Sequence, residues 1–226
     1  MVIIKYIVTY IVIMKKHLFP YLKDDNKIQQ LMIDKDAIHY ITVRRYATQI
    51  TQIILKHVNI LHKNIKDIII TDATACVGGD TLTFAKICKS VNAIEISKMR
   101  CEYLQKNVNI FEFKNVTIYN DDCDNIIHAL PNHDIIYIDP PWEPYGKSYK
   151  SYEKLTLPFC GVNLDNYCNK LFDSSHMLKV PSMVVLKLPK NYDMEHFYNN
   201  ILTTNIYCYT LDKMLIVILL NNNIVV

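Results

Sequence analysis

The stretch that decides the fold is residues 135–147, which read I-I-Y-I-D-P-P-W-E-P-Y-G-K. Four apolar residues open it, as in a strand that is buried on both faces of a parallel sheet. The two prolines that follow Asp139 cannot take part in a sheet ladder, so the strand must end there. The Pro-Pro step therefore holds the Asp139 carboxylate and the Trp142 ring rigidly at the carboxyl end of a strand, where open α/β sheets bind ligands.

An acid and a flat ring held in this way suit the methylation of an exocyclic amine on a flat base. The lone pair of such an amine is delocalised into the ring, so its nitrogen is a poor nucleophile. The Asp139 carboxylate and the Pro140 carbonyl can accept its N–H hydrogens and favour a pyramidal, more nucleophilic geometry. Trp142 can stack on the base and fix it in line with a methyl donor. The plain alternative is a strand end with a turn and a core tryptophan.

A strand, a glycine turn and a helix are predicted further upstream. Residues 65–71 form an apolar strand that runs into D-A-T-A-C-V-G-G-D at residues 72–80. The adjacent Gly78 and Gly79 let the backbone turn sharply and approach a ligand closely. Asp80 is a natural N-cap for the helix that follows. This pattern is typical of the first unit of a doubly wound fold, although an ordinary βα turn would look the same.

The next segments continue the alternation of strands and helices. Glu95 ends a second short strand about twenty residues beyond the turn, where an acid can hydrogen-bond a ribose diol. A third strand is followed by Asp121 and Asp122, and the strand quoted above is the fourth. The resulting pattern β-α-β-α-β-α-β implies a parallel sheet. Upstream of the first strand, apolar residues at spacings of three and four predict an amphipathic helix over residues 42–62, with Thr42 as its N-cap.

The C-terminal part closes the sheet. A fifth strand is predicted over residues 182–188, and two more over residues 205–209 and 214–220. Only a few residues separate the last two strands, which forces them to be antiparallel. The sequence thus predicts an α/β, Rossmann-like methyltransferase fold with a mostly parallel seven-stranded sheet and an antiparallel last strand. Residues 1–41 are predicted to form a small N-terminal helical extension, and residues 42–226 the methyltransferase domain.

Length and composition fit a globular intracellular protein. The 226 residues suffice for one sizeable core, and half of them are hydrophobic. The net charge of +3 permits a nucleic-acid partner without demanding one. The seven cysteines show no spacing typical of a metal site, so a reduced protein that is neither secreted nor metal-bound is expected. The apolar residues 1–14 are too short for a membrane span, and we interpret them as an extra strand, a hydrophobic flap or a partner contact.

The segment after Trp142 is polar and rich in tyrosine and lysine. Tyr145, Lys147 and Lys150 alternate aromatic and basic side chains, which suits a partner made of bases and phosphates. A solvated loop in a protein that is rich in both residue types explains the pattern equally well.

The glycine turn and the strand end together resemble the trimethylguanosine synthases, which are cap guanine-N2 methyltransferases. Residues 72–81, D-A-T-A-C-V-G-G-D-T, are similar to the Asp-Ala and Gly-Val-Gly-Gly-Asn-Thr turn of that family. Residues 139–142, D-P-P-W, are similar to its Ser-Pro-Pro-Trp strand end. The resemblance covers residues 32–147 and, less clearly, the remainder of the chain.

Three residues depart from the family pattern. Cys76 replaces the first glycine of the turn, which implies a less tight loop, and residues 42–44 read T-V-R where the family has Thr-Pro-Glu. Asp139 replaces the family's serine, and an aspartate there is typical of many adenine-N6 and other amino methyltransferases. Methylation of N6 of adenine, or of another base amine, in RNA or DNA is therefore an open alternative. A catalytically inactive scaffold with the methyltransferase fold is a second one.

The resemblance implies methyl transfer from S-adenosylmethionine to the exocyclic N2 amine of the (7-methyl)guanosine RNA cap. A monomer that needs no metal ion and no membrane is expected. The candidate catalytic residues are Asp139, Pro140 and Trp142. The candidate cofactor-binding residues are Asp72, Thr74, Ala75, Gly78, Gly79, Thr81, Glu95, Asp121, Asp122 and Asp139. The candidate substrate-binding residues are Trp142, Tyr145, Lys147, Lys150 and Arg44.

Three of the cofactor-binding residues have a more specific expected role. Asp72 is expected near the amino-acid end of S-adenosylmethionine, and Glu95 at its ribose hydroxyls. Asp122, or failing that Asp121, is expected to accept a hydrogen bond from its adenine amine. The four basic or phenolic residues of the substrate set, from Arg44 to Lys150, are candidates for the cap phosphates.

Overall fold

The computed structural model describes residues 2–222, which contain a seven-stranded sheet and a separate two-stranded hairpin. The strands are β1 (Ile69–Asp72), β2 (Ser90–Ile94), β3 (Val116–Tyr119), β4 (Ile135–Ile138), β5 (Pro158–Phe159), β6 (Val162–Asn163), β7 (Met183–Pro189), β8 (Ile206–Leu211) and β9 (Met214–Leu220). The strand order of the large sheet is β3-β2-β1-β4-β7-β9-β8, and β9 is antiparallel to both of its neighbours. The predicted fold class is confirmed.

Helices cover both faces of the sheet. They are α1 (Val2–Leu18), α2 (Asp25–Gln30), α3 (Ala37–Tyr40), α4 (Arg44–Ile60), α5 (Gly79–Ala85), α6 (Lys98–Ile110), α7 (Cys123–Ile127), α8 (Leu164–Leu171) and α9 (Met194–Asn200). Alternate residues of β4 enter two different cores. Ile136 and Ile138 pack with α7, α8 and α9, whereas Ile135 and Tyr137 pack with α4 and α5. This alternation explains why all four positions of β4 are apolar.

The N-terminal extension is helical, as predicted, but its first segment is not a strand. Residues 2–14 belong to α1, which continues to Leu18. Leu18 and Phe19 are buried in a third core cluster, together with Leu82 of α5 and Leu104 of α6. The extension therefore packs on the sheet-flanking helices. The division of the chain at residue 41 stays a prediction. Within residues 2–222, no helix is long and apolar enough to cross a bilayer.

Two predicted N-caps are wrong, and for the same reason. The N-cap of α4 is Val43, and the N-cap of α5 is Gly78, whose φ is 101°. Thr42 and Asp80 instead turn inward, and the Thr42 hydroxyl donates a hydrogen bond of 2.5 Å to Asp80 Oδ2. Each side chain finds a buried polar partner in the other, and this contact takes precedence over a cap at the helix end.

The loop after Trp142 has more structure than the sequence predicts. It contains two short 3-10 turns, Pro144–Gly146 and Tyr149–Ser151, followed by the β5–β6 hairpin. Asn191 donates side-chain hydrogen bonds of 2.8 Å to the Tyr149 and Tyr152 carbonyls, which ties the loop to the end of β7.

Candidate active site

Acidic residues follow four adjacent strands along the carboxyl edge of the sheet. In the spatial order β3, β2, β1 and β4 they are Asp122, Glu95, Asp72 and Asp139. The chain runs outward from β1 to β3 and then returns to β4 on the other side of β1. The strand order therefore reverses between β1 and β4, and such a switch point opens a crevice in which doubly wound sheets bind ligands. The fold brings the acids predicted from the sequence together around this crevice.

A buried lysine that the sequence analysis did not single out lies beside Asp139. Ile138 pairs with Leu186 in the parallel β4–β7 ladder, so the next residues along each strand, Asp139 and Lys187, are neighbours. Lys187 Nζ lies 2.5 Å from Asp139 Oδ2, and the two side chains are 6% and 17% exposed. The signal that could have found Lys187 is its isolated charge in the apolar run M-V-V-L-K-L-P of β7, because lysine is seldom buried without a partner.

Thr42 and Asp80 extend the Asp139–Lys187 pair into a buried polar network. Lys187 Nζ donates to Thr42 Oγ1 at 2.9 Å, and Thr42 Oγ1 donates to Asp80 Oδ2 at 2.5 Å. The Tyr137 hydroxyl donates to the same carboxylate oxygen at 3.2 Å. Asp80 Oδ1 is buried and has no hydrogen-bond partner among the described residues. The network joins the start of α4, the first turn of α5, β4 and β7 around one lysine.

The residues around the β1 turn brace each other. Asp72 is 1% exposed, and its Oδ2 accepts from the Thr81 hydroxyl at 2.5 Å. Asp72 Oδ1 accepts from the Thr74 N–H at 3.3 Å, and the Thr74 hydroxyl accepts from the Asp139 N–H at 2.8 Å. The Ala75 N–H donates to a carbonyl of β2 at 2.9 Å. These contacts fix the ends of β1, β2 and β4 relative to one another, and a contact of these residues with a cofactor stays a prediction.

Burial and charge set the protonation of this edge. Burial raises the pKa of Asp139 to about 6, although the adjacent Lys187 opposes the rise. Burial and the neighbouring Asp80 raise the pKa of Asp72 to about 7. Burial acts to lower the pKa of Lys187, but the charges of Asp139 and Asp80 more than offset it and leave the pKa above its ordinary value. At neutral pH the site therefore holds a cationic Lys187 against an anionic Asp139.

Glu95 is positioned by the backbone at the end of β2. Its side chain is 8% exposed. Oε2 accepts from the Cys76 N–H, and Oε1 accepts from the Ser97 N–H, each at 2.8 Å. A carboxylate has about four lone-pair sites, so capacity remains for the two hydroxyls of a diol.

The glycine turn is tight because protein side chains pack against it. A Cβ at Gly78 would lie 2.6 Å from Leu104 Cδ1, and one at Gly79 would lie 2.6 Å from Ile41 Cγ1. Both glycines thus have a packing role that is independent of any ligand. Cys76 has a φ of 48°, a left-handed conformation that costs a residue with a side chain about 1–2 kcal/mol. Cys76 thus adopts a conformation that glycine adopts without this cost, and the prediction of a less tight loop than in the resembling family stays a prediction.

Asp122 and Asp121 follow β3 and differ in their surroundings. Asp122 is half-buried and caps α7, since its Oδ1 accepts from the Asp124 N–H at 3.0 Å. Asp121 is exposed, and its Oδ1 accepts from the Asn125 side chain at 2.9 Å and from the Asp122 N–H at 2.7 Å. Capping engages one oxygen of Asp122 and leaves Oδ2 for another donor.

Trp142 is half-buried and anchored against β7. Its indole N–H donates to the Lys187 carbonyl at 3.3 Å, and the Lys187 ammonium lies 5.4 Å from the ring centroid. Tyr149 packs edge-on against the indole, with the ring centroids 5.3 Å apart. The ring is therefore held rigidly but is not enclosed, whereas the preceding Pro140 is buried. Base stacking on Trp142 stays a prediction.

The basic residues predicted for the substrate fall into two groups. Lys147 and Lys150 are exposed on the loop after β4, and Tyr145 belongs to the first 3-10 turn of the same loop. Arg44 begins α4 and lines a cavity of about 230 Å³ in the N-terminal part of the protein. The other basic residues that line this cavity are Lys15, Lys16 and Lys23. The sequence analysis missed these three lysines, because only the fold brings them to Arg44.

The carboxyl edge fits S-adenosylmethionine, which carries a ribose diol, an adenine amine and a positive sulfonium. Glu95 has acceptor capacity for the diol, and Oδ2 of Asp122 has it for the amine. The charge of Lys187 is already compensated by Asp139, so the acidic edge as a whole favours a cation.

Comparison with known proteins identifies a family and a relative. A family model described as RNA cap guanine-N2 methyltransferase matches residues 67–225. An uncharacterized protein of Acanthamoeba polyphaga mimivirus is 32% identical over 222 residues, which are 90% of this chain and 84% of that protein.

Two solved structures show the same fold. A T. thermophilus 16S rRNA guanine-N2 methyltransferase, in complex with AdoMet and guanosine, superposes with a TM-score of 0.57 at 12% identity, over 84% of this chain and 44% of that one. A conserved hypothetical protein of Streptococcus pyogenes superposes with a TM-score of 0.51 at 14% identity, over 76% of this chain and 96% of that one. At these identities the likeness concerns the fold alone.

The fold and the acidic switch-point crevice define a class I methyltransferase that uses S-adenosylmethionine. Within that class, the family model that matches residues 67–225 identifies the family. The chain belongs to the RNA cap guanine-N2 methyltransferase family.

Proposed function

We propose that the protein transfers a methyl group to the N2 amine of the guanosine cap of RNA, as a trimethylguanosine synthase does, and prefers the 7-methylguanosine form. The observation that carries the proposal is the placement of Asp139 and Trp142 at the carboxyl end of β4, beside the switch point. The family match supports guanine N2 as the atom and the cap as the substrate.

Asp139 and its neighbours prepare the target nitrogen. S-adenosylmethionine supplies an electrophilic methyl group when it is bound. The Asp139 carboxylate accepts one N2–H hydrogen bond and the Pro140 carbonyl the other, which draws the nitrogen lone pair out of conjugation with the ring. Lys187 keeps the Asp139 carboxylate ionised and fixed in orientation at 2.5 Å. Trp142 holds the base plane, so the nitrogen faces the methyl group in one orientation.

Asp139 is also suited to take the proton that the amine loses. Burial raises its pKa to about 6, so its carboxylate is a stronger base than an ordinary aspartate while remaining ionised at neutral pH. Thr42 and Asp80 lie behind Lys187, and they stabilise the lysine as the charge of Asp139 changes. The buried network supports this role.

The preference for a 7-methylguanosine cap is based on charge. N7 methylation gives guanine a delocalised positive charge, and the contact of a cation with an indole face, the best aromatic partner, is worth roughly 0.5–2 kcal/mol. Neutral guanine gains only the ordinary stacking energy on Trp142. The cavity lined by Arg44 and three lysines, and the exposed Lys147 and Lys150, offer positive charge for the triphosphate and the RNA backbone.

Methylation of adenine N6 is the second candidate, because Asp139 stands where the resembling family has serine. An adenine enzyme would use the same carboxylate to accept the N6–H hydrogen bonds. It would have no use for the charge of 7-methylguanine, so Trp142 would contribute equally to all purines.

Radiolabelled S-adenosylmethionine, offered with 7-methyl-GTP, GTP or adenine-containing RNA, separates the two candidates. Our proposal predicts transfer to 7-methyl-GTP in preference to GTP, and none to the adenine RNA. Trp142→Phe, which keeps an aromatic ring but weakens its quadrupole, should reduce kcat/KM for 7-methyl-GTP more than for GTP. The charge-specific part of the indole contribution corresponds to roughly two- to thirtyfold. Transfer to the adenine RNA alone would contradict the proposal.

A further inference from the structure

Two cysteines that are distant in sequence meet beside the adenine end of the proposed cofactor site. Cys123 is the first residue of α7, and Cys160 lies in the turn of the β5–β6 hairpin. Their sulfur atoms are 3.4 Å apart, and Cys160 Sγ is 3.8 Å from Asp122 Oδ1. All seven cysteines lie among the described residues and are free thiols, and the sulfur atoms of Cys123 and Cys160 are in contact.

The backbone holds Cys160 in an unusual conformation. Its φ is 49° and that of Gly161 is 78°, so two successive residues of the hairpin turn are left-handed. Such turns strongly favour asparagine, aspartate or glycine, and a cysteine there is disfavoured by its side chain. Outliers of this kind are kept where the surrounding structure or a function requires them. The strained turn aims the Cys160 thiol at the N-terminus of α7.

The two thiols have unequal chemical environments. A hydrogen bond from the Cys123 thiol lowers the pKa of Cys160, which is half-buried and in contact with solvent. That same hydrogen bond, followed by burial, raises the pKa of Cys123, which is 7% exposed. The arrangement places a more accessible sulfur, whose pKa is lowered, next to a protected one, as in oxidation-sensitive cysteine pairs with a resolving thiol.

We infer that Cys123 and Cys160 form a thiol–disulfide modification site, which a hydroperoxide oxidises and which couples the β5–β6 hairpin to the adenine end of the cofactor site. A disulfide requires the sulfurs to approach by about 1.4 Å, to a bond length near 2.05 Å. Cys160 lies in a two-residue turn, where rotation of one side chain and a small hinge of the hairpin supply this movement.

The oxidation is balanced with a hydroperoxide as the oxidant. The Cys160 thiolate attacks one peroxide oxygen, the O–O bond breaks, and hydroxide leaves to give a sulfenic acid. The Cys123 sulfur then attacks the Cys160 sulfur, the S–S bond forms, and the S–O bond breaks. Water leaves with the proton of Cys123. In sum, two thiols and one hydrogen peroxide give one disulfide and two water molecules, and a thiol reductant reverses the change.

The coupling to the cofactor rests on the proposed role of Asp122, whereas the disulfide itself does not. Asp122 directly precedes Cys123 and caps α7 through the oxygen that also lies near Cys160. A bond between the two cysteines pulls the hairpin onto this helix start and displaces the Asp122 carboxylate. We therefore expect oxidation to weaken S-adenosylmethionine binding.

Peptide mass spectrometry tests the disulfide without reference to activity. The reduced full-length protein is treated with one equivalent of hydrogen peroxide, its free thiols are alkylated, and it is digested. A cross-linked peptide pair joining Cys123 to Cys160 is expected before the exposed Cys208 is oxidised. Oxidation of Cys208 first, or a sulfinic acid at Cys160 beside a reduced Cys123, would overturn the inference. The ligand atoms of Asp122, Cys123 and Cys160 lie within 4.8 Å of one another. One equivalent of co-purifying zinc held by these three residues would also overturn the inference.

Calorimetry tests the coupling on the same samples. Oxidised wild-type protein should bind S-adenosylmethionine at least about threefold more weakly than reduced protein, and a thiol reductant should restore the affinity. Cys160→Asn is the matched control, since asparagine tolerates the left-handed turn and removes the thiol. Its affinity should not change on peroxide treatment. A disulfide that forms with no change in affinity would contradict the coupling. Absence of binding in the reduced protein would instead contradict the cofactor site itself.

Discussion

Two of the lysine–carboxylate pairs within residues 2–222 have similar lengths but opposite surroundings. Lys187 lies 2.5 Å from Asp139 between β4 and β7, where the side chains are 6% and 17% exposed. Lys154 lies 2.7 Å from Glu195 at the surface, where they are 61% and 74% exposed. Water and salt screen the surface pair, so its loss matters little. Breaking the buried pair leaves a buried charge without a partner, so the intact pair holds the Asp139 carboxylate, our proposed catalytic group, in a fixed state.

The largest expected effect comes from removing one member of the buried pair. Lys187→Met leaves Asp139 and Asp80 without their cation and should lower the free energy of unfolding by about 3–5 kcal/mol. Lys154→Met is the matched control and should leave the urea midpoint unchanged. Equal midpoints for the two variants would remove the distinction between the pairs.

Neutralising Asp139 while keeping its shape should affect the reaction rather than the cofactor. Asp139→Asn retains the side-chain volume but loses the negative charge, one of the two acceptor oxygens and the base, so kcat should fall by roughly a hundredfold or more. The affinity for S-adenosylmethionine should stay within a few fold, because the proposed role lies in the transition state. Glu195→Gln serves as the surface control. Near-normal turnover by Asp139→Asn would refute the role assigned to Asp139, whereas an inactive wild type would favour a scaffold.

The buried Asp139 carboxyl should make activity rise with pH and stability fall with pH. The pKa of Asp139 is raised to about 6, so kcat should rise with pH through that value and be about tenfold lower at pH 5. The carboxyl in the unfolded chain titrates near pH 4. Its contribution to folding is therefore most favourable at low pH and is lost as the pH rises through about 4 to 6. Asp139→Asn should abolish the acid limb of kcat and leave only the stability trend of Asp72, whose pKa is also raised. An acid limb unchanged in that variant would refute the assignment.

Glu95, which backbone N–H groups hold in place, can be compared with the exposed Glu195. Glu95→Ala should weaken S-adenosylmethionine binding by roughly tenfold and remove most of the thermal shift that the cofactor produces. Glu195→Ala should retain the full shift. A normal shift in the Glu95 variant would show that the ribose is held elsewhere.

The smallest effect is expected at the surface lysines of the loop. Lys147→Ala combined with Lys150→Ala should raise KM for capped RNA by only a few fold and flatten its salt dependence, because exposed phosphate contacts are screened. The turnover of 7-methyl-GTP should change less. A large fall in kcat would place these lysines at the reacting base.

The carboxyl edge could be predicted from the sequence where local pattern determined the position. Asp72, Glu95 and Asp139 each end an apolar strand, and parallel strands bring their carboxyl ends to one side. Lys187 could not be assigned in this way, because its partner depends on the register of β4 against β7. That register is a long-range property of the sheet.

Residues that can form either a local or a long-range contact could not be assigned from the local sequence either. Thr42 and Asp80 have the composition and position of N-caps, yet they bond to each other 38 residues apart in the chain. Cys123 and Cys160 come together only because the β5–β6 hairpin folds back on α7. An apolar segment such as residues 1–14 fits a strand or a helix equally well, and the packing of α1 against the remainder of the extension decides between them.

The position of the transferred methyl group tests the central claim most directly. RNA with a 7-methylguanosine cap is incubated with S-adenosylmethionine and the protein, digested to nucleosides, and analysed by liquid chromatography and mass spectrometry. We expect a cap guanosine that carries methyl groups at both N7 and N2, formed by wild-type protein and not by Asp139→Asn. A cap that remains unchanged while internal adenosines gain a methyl group at N6 would contradict the account.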